Sequence, residues 1–90
     1  MAYTNSHDSK TITGAQIRAA RALLRWGAAD LALKAKLGVA TIRRAEATDG
    51  TVQITVANAA AVRRTLRTAG IEFIFDADGG VGVSLRKIHS

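Results

Sequence analysis

The chain has no cysteine, so neither a disulfide framework nor a thiolate metal site holds it together. Aromatic side chains are nearly absent too: only Tyr3, Trp26, Phe73 and Phe75 occur. Much of the 48% hydrophobic share is alanine, which buries little area per residue. The core is therefore expected to be thin and its helices closely spaced, a situation in which a second chain commonly contributes. No apolar run approaches membrane-spanning length and the start is polar, so the expectation is a cytoplasmic protein with no membrane partner and no secretory signal. No activated serine or lysine and no paired carboxylates can be picked out, and His7 and His89 stand near the ends without a metal set. The chain is accordingly expected not to be an enzyme and to need no cofactor and no metal.

Acids are scarce. Thirteen Lys and Arg face seven Asp and Glu, for a formal charge of +6. The excess is concentrated: Lys10, Arg18, Arg21, Arg25, Lys34, Lys36, Arg43, Arg44, Arg63, Arg64 and Arg67 are opposed over that span only by Asp30, Glu46 and Asp49. A positive field over one region suits a polyanion such as nucleic acid, although solvated surface charge produces the same composition. Ninety residues allow one modest core.

Residues 1–11 are polar without apolar periodicity and read as a flexible arm. Residues 13–26 read as a helix with Thr13 as its cap and Gln16 completing a capping box; Ile17, Ala20 and Leu24 lie inward, with Leu23 a further candidate for that face, and Gly27 ends it. Residues 28–35 form a second helix with Leu31, Ala32 and Ala35 inward. After Lys36-Leu37-Gly38, residues 39–47 form a third with Ile42 and Ala45 inward. A fourth runs from about Thr55 to Ala69 on the spacing of Ala59, Val62, Leu66 and Ala69, and Gly70 terminates it; residues 51–56 are β-branched enough to be extended instead. The period then changes to two. Residues 71–75 and 81–85 read as a hairpin, with Asp76-Ala77-Asp78-Gly79-Gly80 as its turn; a calcium loop is disfavoured there because no liganding glutamate follows.

Two short helices joined by a tight turn, the second basic, are what a major-groove reader requires. The combination of Ala20-Arg21-Ala22-Leu23-Leu24-Arg25-Trp26, Asp30-Leu31-Ala32 and Ala40-Thr41-Ile42-Arg43-Arg44-Ala45-Glu46 resembles the XRE family, the helix-turn-helix domain of phage Cro and repressor proteins. The resemblance covers residues 16–69, and the hairpin looks like the tail of small bacterial members. It implies a mainly α fold: a four-helix Cro/repressor-like domain over residues 12–70, a C-terminal β-hairpin over 71–86 and a flexible tail over 87–90. It also implies a sequence-specific transcriptional regulator that binds double-stranded DNA, an inverted repeat, as a homodimer.

Residue by residue, the resemblance makes Arg43 and Arg44 the base-contacting pair, since arginine can donate two hydrogen bonds to guanine. Val39 and Ala40 would contact a thymine methyl and Thr41 a phosphate or base. Gln16, Arg18 and Lys36 lie where phosphates are expected, and Arg63, Arg64 and Arg67 either join them or coat the fourth helix. Arg21 and Glu46 match a structural ion pair, and Trp26 is assigned to the core. Three positions depart from the family pattern: Ala28 replaces a DNA-touching glutamine, Lys36 stands where glycine is common, and Gly38 replaces a serine or threonine cap. Lys36 is then expected to be left-handed. The hairpin is the expected dimerisation element, through Phe73, Ile74, Phe75 and Val83, with Ile74 as a lone surface residue the alternative. A rival reading is a protein-interaction module, such as an antitoxin or antiactivator, with DNA binding secondary or lost.

Overall fold

The computed structural model describes residues 11–86; apart from Thr11, the arm and tail expected at the two ends lie outside them. Helices α1 (Gly14–Leu24), α2 (Ala28–Ala35), α3 (Val39–Glu46) and α4 (Val56–Thr68) precede strands β1 (Ile71–Phe75) and β2 (Val81–Leu85). The expected mainly α architecture with a C-terminal hairpin is present.

Local chemistry accounts for most boundaries. At the start of α1, the Gln16 N–H donates to Thr13 Oγ1 (3.1 Å) and the Thr13 N–H to Gln16 Oε1 (3.0 Å), the reciprocal capping box that satisfies two otherwise orphaned donors. The end of α1 differs from expectation. The helix stops at Leu24 because Arg25 turns left-handed (φ 60°), and Gly27 instead caps α2. The Trp26 N–H reaches back to the Arg21 carbonyl and the Arg25 N–H to that of Ala22, a Schellman arrangement. At the end of α2 the same pattern recurs: Leu37 donates to Ala32, Lys36 to Leu33, and Lys36 is left-handed (φ 61°) as expected. A side chain in that region costs about 1 kcal/mol or more, so two basic residues hold turns that glycine would make more easily.

Residues 51–55 lie outside α4. Thr51 bridges Thr13 in antiparallel fashion, and Thr55 then caps α4 by accepting from the Asn58 N–H. Gly70, at φ 107°, follows α4 as a C′ residue should. The hairpin pairs Ile71 with Leu85, Phe73 with Val83 and Phe75 with Val81. Its turn is closed by the Asp76 carboxylate, which accepts from the Asp78 and Gly80 N–H groups.

The core gathers one stripe from each helix and one from β1: Ile17 and Ala20, Leu31 and Ala32, Ile42 and Ala45, Val62 and Leu66, and Ile71, Phe73 and Phe75, with Ile12 and Val52 from the segments before α1 and α4. Burying a large aliphatic or aromatic side chain contributes about 1.5–3 kcal/mol, so this short roster carries most of the stability. Trp26 packs partly buried against the core, with the Lys34 ammonium 5.1 Å from its ring centroid.

Candidate nucleic-acid interface

What positions α3 is a stripe on α1. Gly14, Arg18 and Arg21 recur at helical spacing and all meet the C-terminal end of α3 or the loop after it. At Gly14 the backbones nearly touch: a Cβ there would lie 1.9 Å from the Thr48 carbonyl oxygen and 2.6 Å from that of Ala45. One turn on, Arg18 donates to the Glu46 carbonyl (2.7 Å) and the Thr48 carbonyl (3.2 Å) and pairs with Asp49. A guanidinium on these carbonyls satisfies acceptors that a helix end leaves open and complements its negative dipole end. Arg21 closes the stripe with a fork onto the Glu46 carboxylate, Nε to Oε2 at 2.6 Å and Nη2 to Oε1 at 2.8 Å, and donates to the Trp26 carbonyl.

The Arg21–Glu46 pair is thus the structural clamp expected from the sequence. The Glu46 side chain is only 9% exposed and Arg21 22%. The hydrogen bond to Glu46 raises the Arg21 pKa against the opposing effect of burial, with Coulombic attraction adding to the rise. Replacing Glu46 with glutamine is expected to cost about 2 kcal/mol, below the about 3–5 kcal/mol of a fully buried pair because Arg21 retains some solvent. Denaturant unfolding of the two proteins checks this; equal midpoints would remove the clamp from the account of the fold.

Held from behind by Ile42 and Ala45 and at one end by the clamp, α3 turns a rigid outer stripe to solvent. Ala40, Arg43 and Arg44 are exposed, as is Ala47 just past the helix, while Val39 and Thr41 are half-buried beside them. Neither Arg43 nor Arg44 has an ion-pair partner among the described residues. Small side chains flank both arginines, so the face is narrow. Lys36 is exposed in the turn leading into α3. The five residues expected to touch bases and Lys36 therefore belong to one continuous region, α3 and the turn before it.

The structure corrects four other assignments. Gln16 is not at the surface: it is 1% exposed, and its amide donates to the Ile74 (3.2 Å) and Gly82 (2.9 Å) carbonyls, leaving nothing for a phosphate. The capping motif that identified Gln16 says nothing about the hairpin that covers it. Arg18 is spent on the α3 terminus and Asp49 rather than held ready for phosphate. Phe73 and Phe75 are 4% and 9% exposed and serve the chain's own core, so they cannot form a dimer face; Ile74 and Val83 are half-buried. Among the basic residues of α4, the Arg63 guanidinium lies 6.0 Å from the Phe73 ring centroid, and Arg64 and Arg67 are exposed. Gly14 is the positioning residue that no motif marks. Its signal was a glycine inside the first turn of an otherwise alanine-rich helix, where alanine would be the better helix former.

Among the described residues no cluster of His, Cys, Asp or Glu could hold a metal ion, and no helix is long and apolar enough to cross a membrane. Comparison of the chain with protein-family profiles, with curated proteins and with solved structures finds no match.

Proposed function

We propose that the chain is a helix-turn-helix DNA-binding protein, a transcriptional regulator that lays the outer stripe of α3 in the major groove of a DNA duplex. The observation that carries this reading is the Arg43–Arg44 pair: exposed, without acidic partners among the described residues, and flanked by Ala40 and Ala47 on a helix whose opposite face is locked. Arginine is suited to guanine's O6 and N7, and the small neighbours let the helix approach base edges. Lys36, at the turn, would meet the phosphate backbone and position the helix without reading sequence. The resemblance of residues 16–69 to the XRE family supports the same assignment. A homodimer would present two α3 helices to successive major grooves about 34–36 Å apart, matching an inverted repeat.

The test is selection of binding sites from randomised duplexes, followed by titration of selected and unselected DNA at two salt concentrations. A defined sequence should be enriched. The double variant Arg43→Ala/Arg44→Ala should bind it about a hundredfold or more weakly, since each bidentate pair contributes about 1–3 kcal/mol of discrimination, with unfolding unchanged within about 0.5 kcal/mol because both side chains are exposed. Equal, salt-sensitive binding to all duplexes would reduce the activity to phosphate attraction. No binding at all would overturn the reading and favour a protein partner.

A further inference from the structure

We propose that the outer edge of β2 is a self-association surface on which a second copy of this chain pairs its own β2, antiparallel, with Val83 of each copy facing the other across a two-fold axis. The hydrogen-bonding phase of the hairpin carries the inference. Asp76 donates to Gly80 (2.9 Å) and Arg86 to Gly70 (2.8 Å), and these contacts continue the register of Ile74 with Gly82 and Glu72 with Ser84. In an antiparallel pair, bonded and non-bonded positions alternate. The even-numbered positions therefore face β1, and Val81, Val83 and Leu85 direct their N–H and C=O groups away from it. The sheet has two strands, so these groups form an open edge among the described residues, a ready template for another strand.

The side chains at the same three positions all lie on one face of the hairpin. They share the core-facing side of the hairpin with Ile71, Phe73 and Phe75, yet Val81 and Leu85 are 44% and 40% exposed. On α1, which packs against β2, Leu23 lies on the same helical stripe as Gln16, the residue that reaches the hairpin, and is 46% exposed. The buried Ile17 and Ala20 mark the core side of that stripe. Ala15, Ala19 and Ala22 lie on its other side, with no charge that docking would have to desolvate.

Charge selects the occupant and its direction. Asp76 and Asp78 stand in the turn before β2, and Arg86 follows it. Antiparallel pairing about Val83 sets Val81 against Leu85 of the second copy and brings Arg86 to Gly80 of the second copy, beside its acidic turn. Parallel pairing would instead put like charges together at both ends. The hydrogen-bonding positions 81, 83 and 85 are symmetric about 83, so the edge is complementary to itself, as an isologous two-fold contact requires.

The test uses the full chain without DNA, so its failure is separate from failure of the DNA-binding reading. Sedimentation equilibrium should show a dimer for the wild type. Val81→Lys/Leu85→Lys places lysine opposite lysine twice in this register and should raise the dimer dissociation constant about a hundredfold. Val81→Lys/Leu85→Glu, which makes both pairs opposite in charge, should restore most of the association. Val83→Cys, a small change in a chain otherwise free of cysteine, should cross-link on mild oxidation. Bonded antiparallel pairs hold Cα atoms about 5.5 Å apart, inside the range a disulfide spans, and Thr68→Cys, on exposed α4 surface, should not cross-link. A wild type that stays monomeric at about 100 μM, or a dimer that neither the Lys/Lys variant weakens nor Val83→Cys cross-links, would overturn the proposal. The cysteine variant decides the matter should the lysine variant fail to fold.

Discussion

Gly14→Ala is expected to destabilise the protein by about 3 kcal/mol or more, although alanine is the better helix residue by about 1 kcal/mol. The added methyl would sit 1.9 Å from one backbone carbonyl oxygen and 2.6 Å from another. Neither atom belongs to a flexible side chain that could swing aside. Relief requires α1 to move away from residues 45–48, which would stretch the Gly14 N–H bond to the Gly50 carbonyl (2.9 Å) and the Arg18 contacts one turn on. At about 4–8 °C of melting temperature per kcal/mol for a domain of this size, the loss is readily seen by calorimetry. Gly82→Ala is the control: nothing lies within 4 Å of a Cβ there, and the same substitution should be neutral or slightly stabilising. A Gly14→Ala protein as stable as the wild type would mean that α1 and the end of α3 do not approach so closely. The orientation of the α3 stripe would then need another explanation.

The second large effect centres on Gln16. Its Oε1 accepts from the Thr13 N–H while its Nε2 donates to two hairpin carbonyls, so one side chain caps α1 and fastens the hairpin to it. Gln16→Ala removes all of this and should cost about 3 kcal/mol, because buried polar groups are left without partners. Gln16→Glu separates the two roles. Glutamate serves a capping box as well as glutamine does, but as a carboxylate it has no proton for the Ile74 and Gly82 carbonyls and presses negative charge against them. Near neutral pH the Glu variant should be at least as damaged as the Ala variant. A buried carboxyl facing carbonyl oxygens has its pKa raised above the unfolded value, so the folded protein binds the extra proton. Its stability relative to wild type should therefore be greatest below the ordinary glutamate pKa and fall as pH rises through the raised one. Parallel pH–stability curves for wild type and Gln16→Glu would show that the amide donation to the hairpin contributes little.

Local signals account for what could be read in advance. Thr13 and Gln16 three residues apart, Gly70 after an apolar helical repeat, and the switch from a period near four to a period of two at Ile71 all act within a few residues, and each appears where expected. The Arg21–Glu46 pair was legible only through a resemblance, since nothing in a spacing of 25 residues requires two side chains to meet. The end of α1 is not legible locally because glycine is the usual left-handed residue, whereas Arg25 takes that conformation and Gly27 is left to cap α2. The basic residues could be counted but not sorted. Arg18 and Arg43 look alike in sequence, yet one is consumed by carbonyls at the end of α3 and the other is left facing solvent.

The sequence by itself determined the order of the elements and most of their inward faces: caps and apolar stripes follow from interactions among residues at most a few positions apart. Tertiary structure alone decided which polar side chains remain available. It buried Gln16 under a hairpin 58 or more residues away, committed Arg18 to the α3 terminus, turned Phe73 and Phe75 inward and left Val81 and Leu85 at an open edge. Each of these outcomes depends on which surface of one element lies against another. That choice is made by the packing of the whole core, where a close approach such as Gly14 against Thr48 is possible in one arrangement and in few others.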